Sequence, residues 1–258
     1  MNLSIITNHI VKWLTDYCEK SNFDGFVVGV SGGIDSALVS TLCSMTGKNV
    51  ILLNMPIRQT SSEYNRAIEQ IEDLKHRFSN VKSIEMNLTT IFDQIENDFP
   101  SEVISNHLVM ANSRSRLRML TLYAFGQTNN CLVVGTGNKV EDFGVGFYTK
   151  YGDGGVDISP IADLTKTQVR NLARHLNVVE SILVAKPTDG LFEDGRSDED
   201  QIGATYPELE WAMDFLGNED LLNDRQKEVL VIYRRLNRIN QHKMQPIPVC
   251  IIPKQFFN

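Results

Sequence analysis

Phe26-Val27-Val28-Gly29-Val30-Ser31-Gly32-Gly33-Ile34-Asp35-Ser36 reads as a strand that runs into a glycine turn and out into a helix. The first five residues are apolar and valine-rich, and Ala37 to Met45 carries a helical pattern. Outward from this stretch the alternation repeats. Val50 to Leu53 is a second apolar run, Ser61 to Phe78 is polar and helix-compatible, and Val81 to Met86 gives a third strand. Asn106 to Gln127 sets Leu108, Met110, Leu117, Leu120, Leu122 and Tyr123 among arginines, a long helix ending near Gly126, before Cys131 to Val134 supplies a fourth strand. Strands alternating with helices describe βαβ units, so the expected fold is α/β, a doubly wound and mainly parallel sheet flanked by helices.

Beyond the fourth strand the composition shifts. Gly135 to Gly155 holds seven glycines with Lys, Glu, Asp and Tyr between them, which predicts a functional loop with no regular element. Thr165 to Leu176 returns to helix, Lys186 to Gly195 is turn-rich, and Glu208 to Phe215 and Arg225 to Gln241 are helical again. Met1 to Lys20 is an amphipathic helix with Ile6, Ile10, Trp13, Leu14 and Tyr17 as its apolar residues. The chain of 258 residues is read as one domain, with a helix at 1–20, an α/β core at 24–185 and a helical region at 186–258. Segments 79–101 and 186–203 are expected to be loops that close over a bound ligand.

A formal charge of −7 argues against a general nucleic-acid binder, and a polyanionic ligand then needs local cations. Arg116, Lys139, Lys150, Lys166 and Lys243, which lie in the segments whose resemblance is given below, are the candidates for that, while Arg114 is expected on a solvated helix face. Cys18, Cys43, Cys131 and Cys250 are scattered singly, which points to reduced thiols rather than a disulfide framework or zinc ribbon. The five histidines, His9, His76, His107, His175 and His242, have no partner at metal-site spacing, and no Gly-x-Ser-x-Gly elbow occurs. No run of about 18 apolar residues and no signal-peptide pattern is present, so the expectation is a cytoplasmic protein without a membrane span.

In an open parallel sheet, ligands bind beyond the carboxyl ends of the strands. Adjacent glycines there turn the backbone so that successive N–H groups face an anion, and the following helix adds the positive end of its dipole. Ser31 and Ser36 add hydroxyls, but the lysine of GxxxxGK[ST] is missing and so is GxGxxG. A carboxylate in such a loop repels phosphate unless a divalent cation lies between, so Asp35 implies Mg²⁺. The plainer alternative is an ordinary tight turn with Asp35 favoured by the helix dipole. Glu141 follows the neighbouring strand and is the second expected metal ligand. Asp153 lies in a glycine-flanked turn, either as a turn former or as a proton acceptor.

Ser31 to Ser36 resembles the SGGxDS loop of the ATP pyrophosphatase (PP-loop) superfamily, whose members cleave ATP between its α- and β-phosphates. Gly135-Thr136-Gly137-Asn138-Lys139-Val140-Glu141 and Phe147 to Asp157 resemble the GTGNKxE and FTKYGDGGxD signatures of the ammonia-dependent NAD synthetase family. Pro160 to Lys166, Lys186 to Leu191, Asp198-Glu199-Asp200 and His242-Lys243 extend the likeness over nearly the whole chain. Val140 and Ser115 depart from the serine and alanine common in the family.

The resemblance implies a Rossmann-like fold of the adenine nucleotide α-hydrolase type, and amidation of deamido-NAD with free ammonia through an adenylate. It implies ATP at Gly29, Val30, Ser31, Gly32, Gly33, Ile34, Asp35, Ser36, Thr136, Lys166 and Thr188, and deamido-NAD at Arg116, Lys150, Asp157, His242 and Lys243. Mg²⁺ falls to Asp35 and Glu141, catalysis to Asp153 and Lys166. It also implies a homodimer with active sites near the interface, the long helix at 106–127 being a contact element. Alternatives are another PP-loop enzyme, such as a GMP synthetase or a tRNA-thiolating enzyme, and a non-catalytic nucleotide-binding module. A tRNA-thiolating enzyme needs reactive cysteines or a basic RNA surface, neither of which is evident here, and the GTGNK and KYGDGG segments point away from the superfamily's other members. A non-catalytic module has no need to keep Asp35, Glu141, Asp153 and Lys166 together. Glutamine-using relatives carry an amidase domain for which 258 residues leave no room, so the expected donor is free ammonia, or ammonia delivered by a separate amidase subunit.

Overall fold

A computed structural model describes residues 1–185 and 197–257. Four parallel strands, β1 (Gly25–Gly29), β2 (Asn49–Asn54), β3 (Val81–Glu85) and β4 (Cys131–Val133), lie in the order β3-β2-β1-β4. Phe26 pairs with Val50 on one side and Leu132 on the other, so β1 is central and its residues are buried on both faces. The alternation of the strand separates two cores. Phe26 and Val28 pack with α1 (Leu3–Lys20), α2 (Ile34–Ser44), α3 (Ser61–Arg77) and α7 (Lys166–His175), through side chains such as Leu14, Leu42, Leu74 and Leu172. Val27 faces the other way, toward Phe92 of α4 (Thr89–Asp98) and Leu117 and Leu122 of α6 (His107–Thr128). Short α5 (Ser101–Ile104) precedes α6, and α8 (Glu180–Leu183) follows α7.

A third core holds the C-terminal part. There α9 (Asp198–Ile202), α10 (Tyr206–Asp214) and α11 (Asp224–Met244) pack Leu209, Val229 and Leu230 against Val140 and Val145. Side chains set the helix starts: Thr165 and Gln168 form a capping box on α7, Thr205 and Glu208 on α10, and Asn223 and Gln226 on α11.

The chain order runs outward from β1 to β3 and then returns to add β4 on the far side of β1. The reversal lies between β1 and β4, where the loops after both strands open into one crevice, the place where such sheets bind ligands.

Several expectations change. Segment 79–101 is more than a loop: after the expected strand β3 it holds all of α4, because Leu88 and Phe92 bury themselves in the second core. Residues 135–155 include a regular piece, a π-helical turn at Lys139–Val145 that Asn138 caps through Val140 N–H and Glu141 N–H. Segment 186–203 lies partly outside the described residues, and its described part carries α9. The buried face of α1 is Thr7, Ile10, Leu14 and Cys18; Trp13 and Tyr17 point outward and pack on each other with ring centroids 5.7 Å apart. Arg114 does not lie on a solvated face, since its guanidinium covers the ring of Phe92 at 5.2 Å. All five histidines are exposed, as is Cys250, while the other three cysteines are buried thiols. Among the described residues no helix is long and apolar enough to cross a membrane.

Candidate active site

The glycine loop after β1 is held open from within and without. Gly32 has φ +85°, and a Cβ there would lie 2.4 Å from the carbonyl oxygen of Glu63, so the turn excludes every other residue. Inside the loop, Ser31 N–H donates to Ser36 Oγ at 3.2 Å and Ser36 Oγ donates to the Gly33 carbonyl at 3.0 Å. From outside, Gln59 donates to the Ser31 carbonyl at 3.0 Å and Arg66 to the Gly32 carbonyl at 3.1 Å. Ser31 N–H and, through Ser31 Oγ at 3.2 Å, Gly33 N–H are taken up inside the loop, so an anion is left the Gly32 N–H and the start of α2. Residues 29–36 all line a cleft that Thr136, Glu141, Asp153 and Lys166 also line.

At the foot of the loop Lys166, the first residue of α7, is 3% exposed. Its ammonium donates to Asp35 Oδ2 at 2.6 Å and to Glu141 Oε1 at 2.8 Å. Asn138, wholly buried, donates to the other Asp35 oxygen at 3.1 Å while its own oxygen caps the π-helical turn. Two carboxylates sharing one ammonium cannot both be fully compensated. Burial pushes Asp35 above the usual carboxylate range despite Lys166. Burial opposes ionisation of Glu141 too, but Lys166, with hydrogen bonds from Tyr206 and Asn138, outweighs it and holds Glu141 below that range. Burial alone would lower Lys166, and the two carboxylates reverse this and raise it.

Asp153 sits in the wall of the cleft, reachable by solvent yet surrounded by protein. Its Oδ1 accepts from Ser115 Oγ at 2.7 Å and from Thr149 N–H at 3.0 Å, both bonds falling on one oxygen. The desolvation imposed by the surrounding protein nevertheless raises its carboxyl, making it a better proton acceptor. Gly152 lets the turn approach Ser115, where a Cβ would meet the hydroxyl at 2.3 Å.

Four of the residues expected at deamido-NAD gather at one end of α11. Arg116 Nε donates to the Lys150 carbonyl at 3.3 Å, and Lys150 Nζ donates to the His242 carbonyl at 2.6 Å. Lys243 Nζ donates to the carbonyls of Gly146 and Tyr148 at 2.6 and 2.7 Å and covers the Tyr148 ring. Asp157 stands apart: it accepts from Tyr123 Oη at 2.9 Å and from Val133 N–H at 2.8 Å, bonds that anchor the end of β4 to α6. Lys139 turns outward to Asp163 at 3.1 Å. Thr188 lies outside the described residues.

Sequence reasoning assigned no role to Tyr206, Asn138 or Arg118. Tyr206 hydrogen-bonds Glu141 and lies 3.1 Å from Asp198 Oδ2. Arg118 lines the cleft, donates to the Met55 carbonyl at 3.0 Å, and is pushed down by burial to about 10. Asn138 sits inside the quoted GTGNKxE motif, and Arg118 lies on the long helix two residues after Arg116. Tyr206 has none beyond its place after a capping threonine.

The arrangement therefore supplies an anion-binding loop, a pair of hard carboxylates joined by one cation, and a carboxylate near the mouth of a basic cluster. The family profile described as NAD synthase matches residues 6–246. The NH(3)-dependent NAD(+) synthetase of Sulfolobus acidocaldarius is 39% identical, over 95% of this chain and 88% of its own. The structure of NMN synthetase from Francisella tularensis superposes with a TM-score of 0.85 at 30% identity, covering 98% of this chain and 99% of the other. The NH3-dependent NAD synthetase from Campylobacter jejuni follows at 0.77 and 26% identity, covering 97% and 100%. Glycine loop, carboxylate pair and near-complete coverage by these relatives lead to one assignment: the chain belongs to the NAD synthase family.

Proposed function

We propose that the chain amidates deamido-NAD with ammonia at the expense of ATP, releasing AMP and pyrophosphate. One observation carries this reading: the ammonium of Lys166 sits 2.6 and 2.8 Å from Asp35 and Glu141 at the foot of a glycine loop. That is a net-negative cluster beside an anion-binding turn, an arrangement that would receive polyphosphate together with a divalent cation, with the lysine free to turn toward the phosphates.

A carboxylate is a poor acylating agent because oxide would have to leave. The nicotinate carboxylate attacks the α-phosphorus of ATP, the bond to the bridging oxygen breaks, and pyrophosphate departs. Ammonia then attacks the acyl carbon and AMP leaves. The glycine loop and Thr136 hold the phosphates, and Lys166 turns from its carboxylates to neutralise their charge. Arg116, Lys150, His242 and Lys243 receive the dinucleotide, and Asp157 meets it from its separate place at the end of β4. Asp153 accepts a proton from ammonium, since only neutral ammonia is nucleophilic.

Asp35 and Glu141 are hard oxygen donors already converging on a single positive charge, a set that fits magnesium. Bound there, Mg²⁺ would neutralise phosphate charge. α6 exposes Leu108, Val109 and Leu120, apolar side chains available to a second copy in a homodimer.

Purified protein is to be mixed with ATP, deamido-NAD and either ammonium or glutamine while AMP is followed. AMP formation with ammonium and not with glutamine is expected; ADP with orthophosphate, or turnover on glutamine alone, would refute it. The similarity to the Francisella NMN synthetase favours a second reading, amidation of nicotinate mononucleotide. Offering both acceptors in competition, and reading which one gains an amide, separates the two.

A further inference from the structure

Tyr206 is one of the largest side chains in the protein with almost no exposure, at 1%. Its ring packs in the third core with Leu209, Val140 and Val229. A buried phenol needs a partner for its hydroxyl, and here two carboxylates flank it: Glu141 Oε1, which accepts its hydrogen bond, and Asp198 Oδ2 at 3.1 Å. The face of the same ring lies 4.8 Å from the ammonium of Lys166. Tyr206 thus touches both Glu141 and the lysine that bridges Glu141 to Asp35.

Lys166 and Tyr206 bond the same oxygen, Oε1, from two different elements, α7 and α10. Two donors on one oxygen fix the plane of the carboxylate and leave Oε2 to meet a ligand in the cleft. When Lys166 turns to phosphate, only the phenol continues to hold Oε1. The hydroxyl also stands between Glu141 and Asp198, two carboxylates that repel each other without it.

We infer that Tyr206 is a positioning residue that acts through Glu141, presenting that carboxylate to a divalent cation while Lys166 is engaged by phosphate. The inference rests on the reading of Glu141 as a metal ligand. Outer partners of metal-binding carboxylates commonly change metal affinity by about 10–100-fold when removed.

The test uses Tyr206→Phe, which keeps the ring in its core and its face toward Lys166, together with Glu141→Gln and the double variant. Mn²⁺ binding is measured by electron paramagnetic resonance in the presence of a non-hydrolysable ATP analogue, and melting temperatures are recorded alongside. Tyr206→Phe is expected to weaken Mn²⁺ binding about tenfold. It should lower the rate of ATP–pyrophosphate exchange while leaving the KM for deamido-NAD unchanged. In the Glu141→Gln background the same change should move Mn²⁺ affinity less than about twofold, as coupled partners do. If Glu141→Gln weakens the metal and Tyr206→Phe does not, or if the two effects multiply independently, the role of Tyr206 is overturned. If Glu141→Gln leaves Mn²⁺ affinity at the wild-type value, Glu141 is no ligand and both ideas fall. Should Tyr206→Phe lower the melting temperature sharply, Asp198→Asn, which leaves the phenol in place, separates folding from positioning. A Mn²⁺ affinity in Asp198→Asn equal to wild type with a similarly lowered melting temperature supports the role. A Mn²⁺ affinity that falls with the melting temperature there overturns it.

Discussion

Replacing Lys166 with Met keeps the length of the stem and removes the ammonium. The lysine side chain is 4% exposed and its two carboxylates 16% and 15%, so the variant leaves two poorly solvated acids facing each other. Removing one partner of a buried ion pair costs roughly 3–5 kcal/mol. The carboxylates border a cleft that admits water, which favours the lower end, about 3 kcal/mol. For a chain of this size that corresponds to a fall in Tm of roughly 6–12 °C at pH 7.

The pH profile sharpens this expectation. Burial already raises Asp35 in the wild type, and without Lys166 burial and mutual repulsion raise both carboxylates above their unfolded values. The folded variant then binds more protons than the unfolded chain, so its stability rises as pH falls from 7 toward 5. In the wild type Glu141 is held below its ordinary 4.5, so its contribution is present above that value and is lost as pH falls through the lower folded one. The two Tm curves should therefore converge on acidification. Thermal denaturation followed by circular dichroism between pH 5 and 8 measures both. A deficit under 1 °C at pH 7, or one that does not shrink with acid, would show that the bridge is not what holds these acids together.

Gly32→Ala should abolish ATP binding in calorimetric titration, because the left-handed turn and the Glu63 carbonyl leave no space for a methyl group. Asp153→Asn should slow amidation by at least about tenfold, as expected when a proton acceptor is lost, with ATP–pyrophosphate exchange unchanged; equal rates in both assays would remove Asp153 from proton transfer. Glu208→Gln should lower Tm at neutral pH. Arg225, together with Thr205, holds Glu208 down to about 2, so the stability it gives is present above 4.5 and is lost as pH falls toward 2. The gap between wild type and variant must therefore narrow in acid.

The sheet and its switch point were legible because buried parallel strands are nearly continuous apolar runs, and Gly32 and Gly33 announce the turn between β1 and α2. Asp35, Glu141 and Lys166 were each named from their motifs. Their junction through one ammonium was not, since it depends on how α7 crosses the end of the sheet. The π-helical turn was missed because glycines at 135, 137, 144 and 146 read as loop, whereas Asn138 and contacts with α10 and α11 enforce a helical path. The place of Tyr206 at Glu141 is created entirely by packing between segments 65 residues apart. The outward Trp13 and inward Cys18 show the limit of a five-residue apolar count, since Cys18 completes the buried stripe that Trp13 was expected to fill.

α6 carries one further consequence. Asn112 meets Thr149, Ser115 holds Asp153, Arg116 the backbone of Lys150, Arg118 that of Met55, and Tyr123 holds Asp157. Five contacts, three to the loop at 149–153 and one each to Met55 and Asp157, are indexed by angular steps along a single rod. Inserting or deleting one residue within 113–122 would rotate everything beyond it by about 100°. The later anchors would then be out of phase with the earlier ones, so this helix should tolerate substitution far more readily than any change in its length.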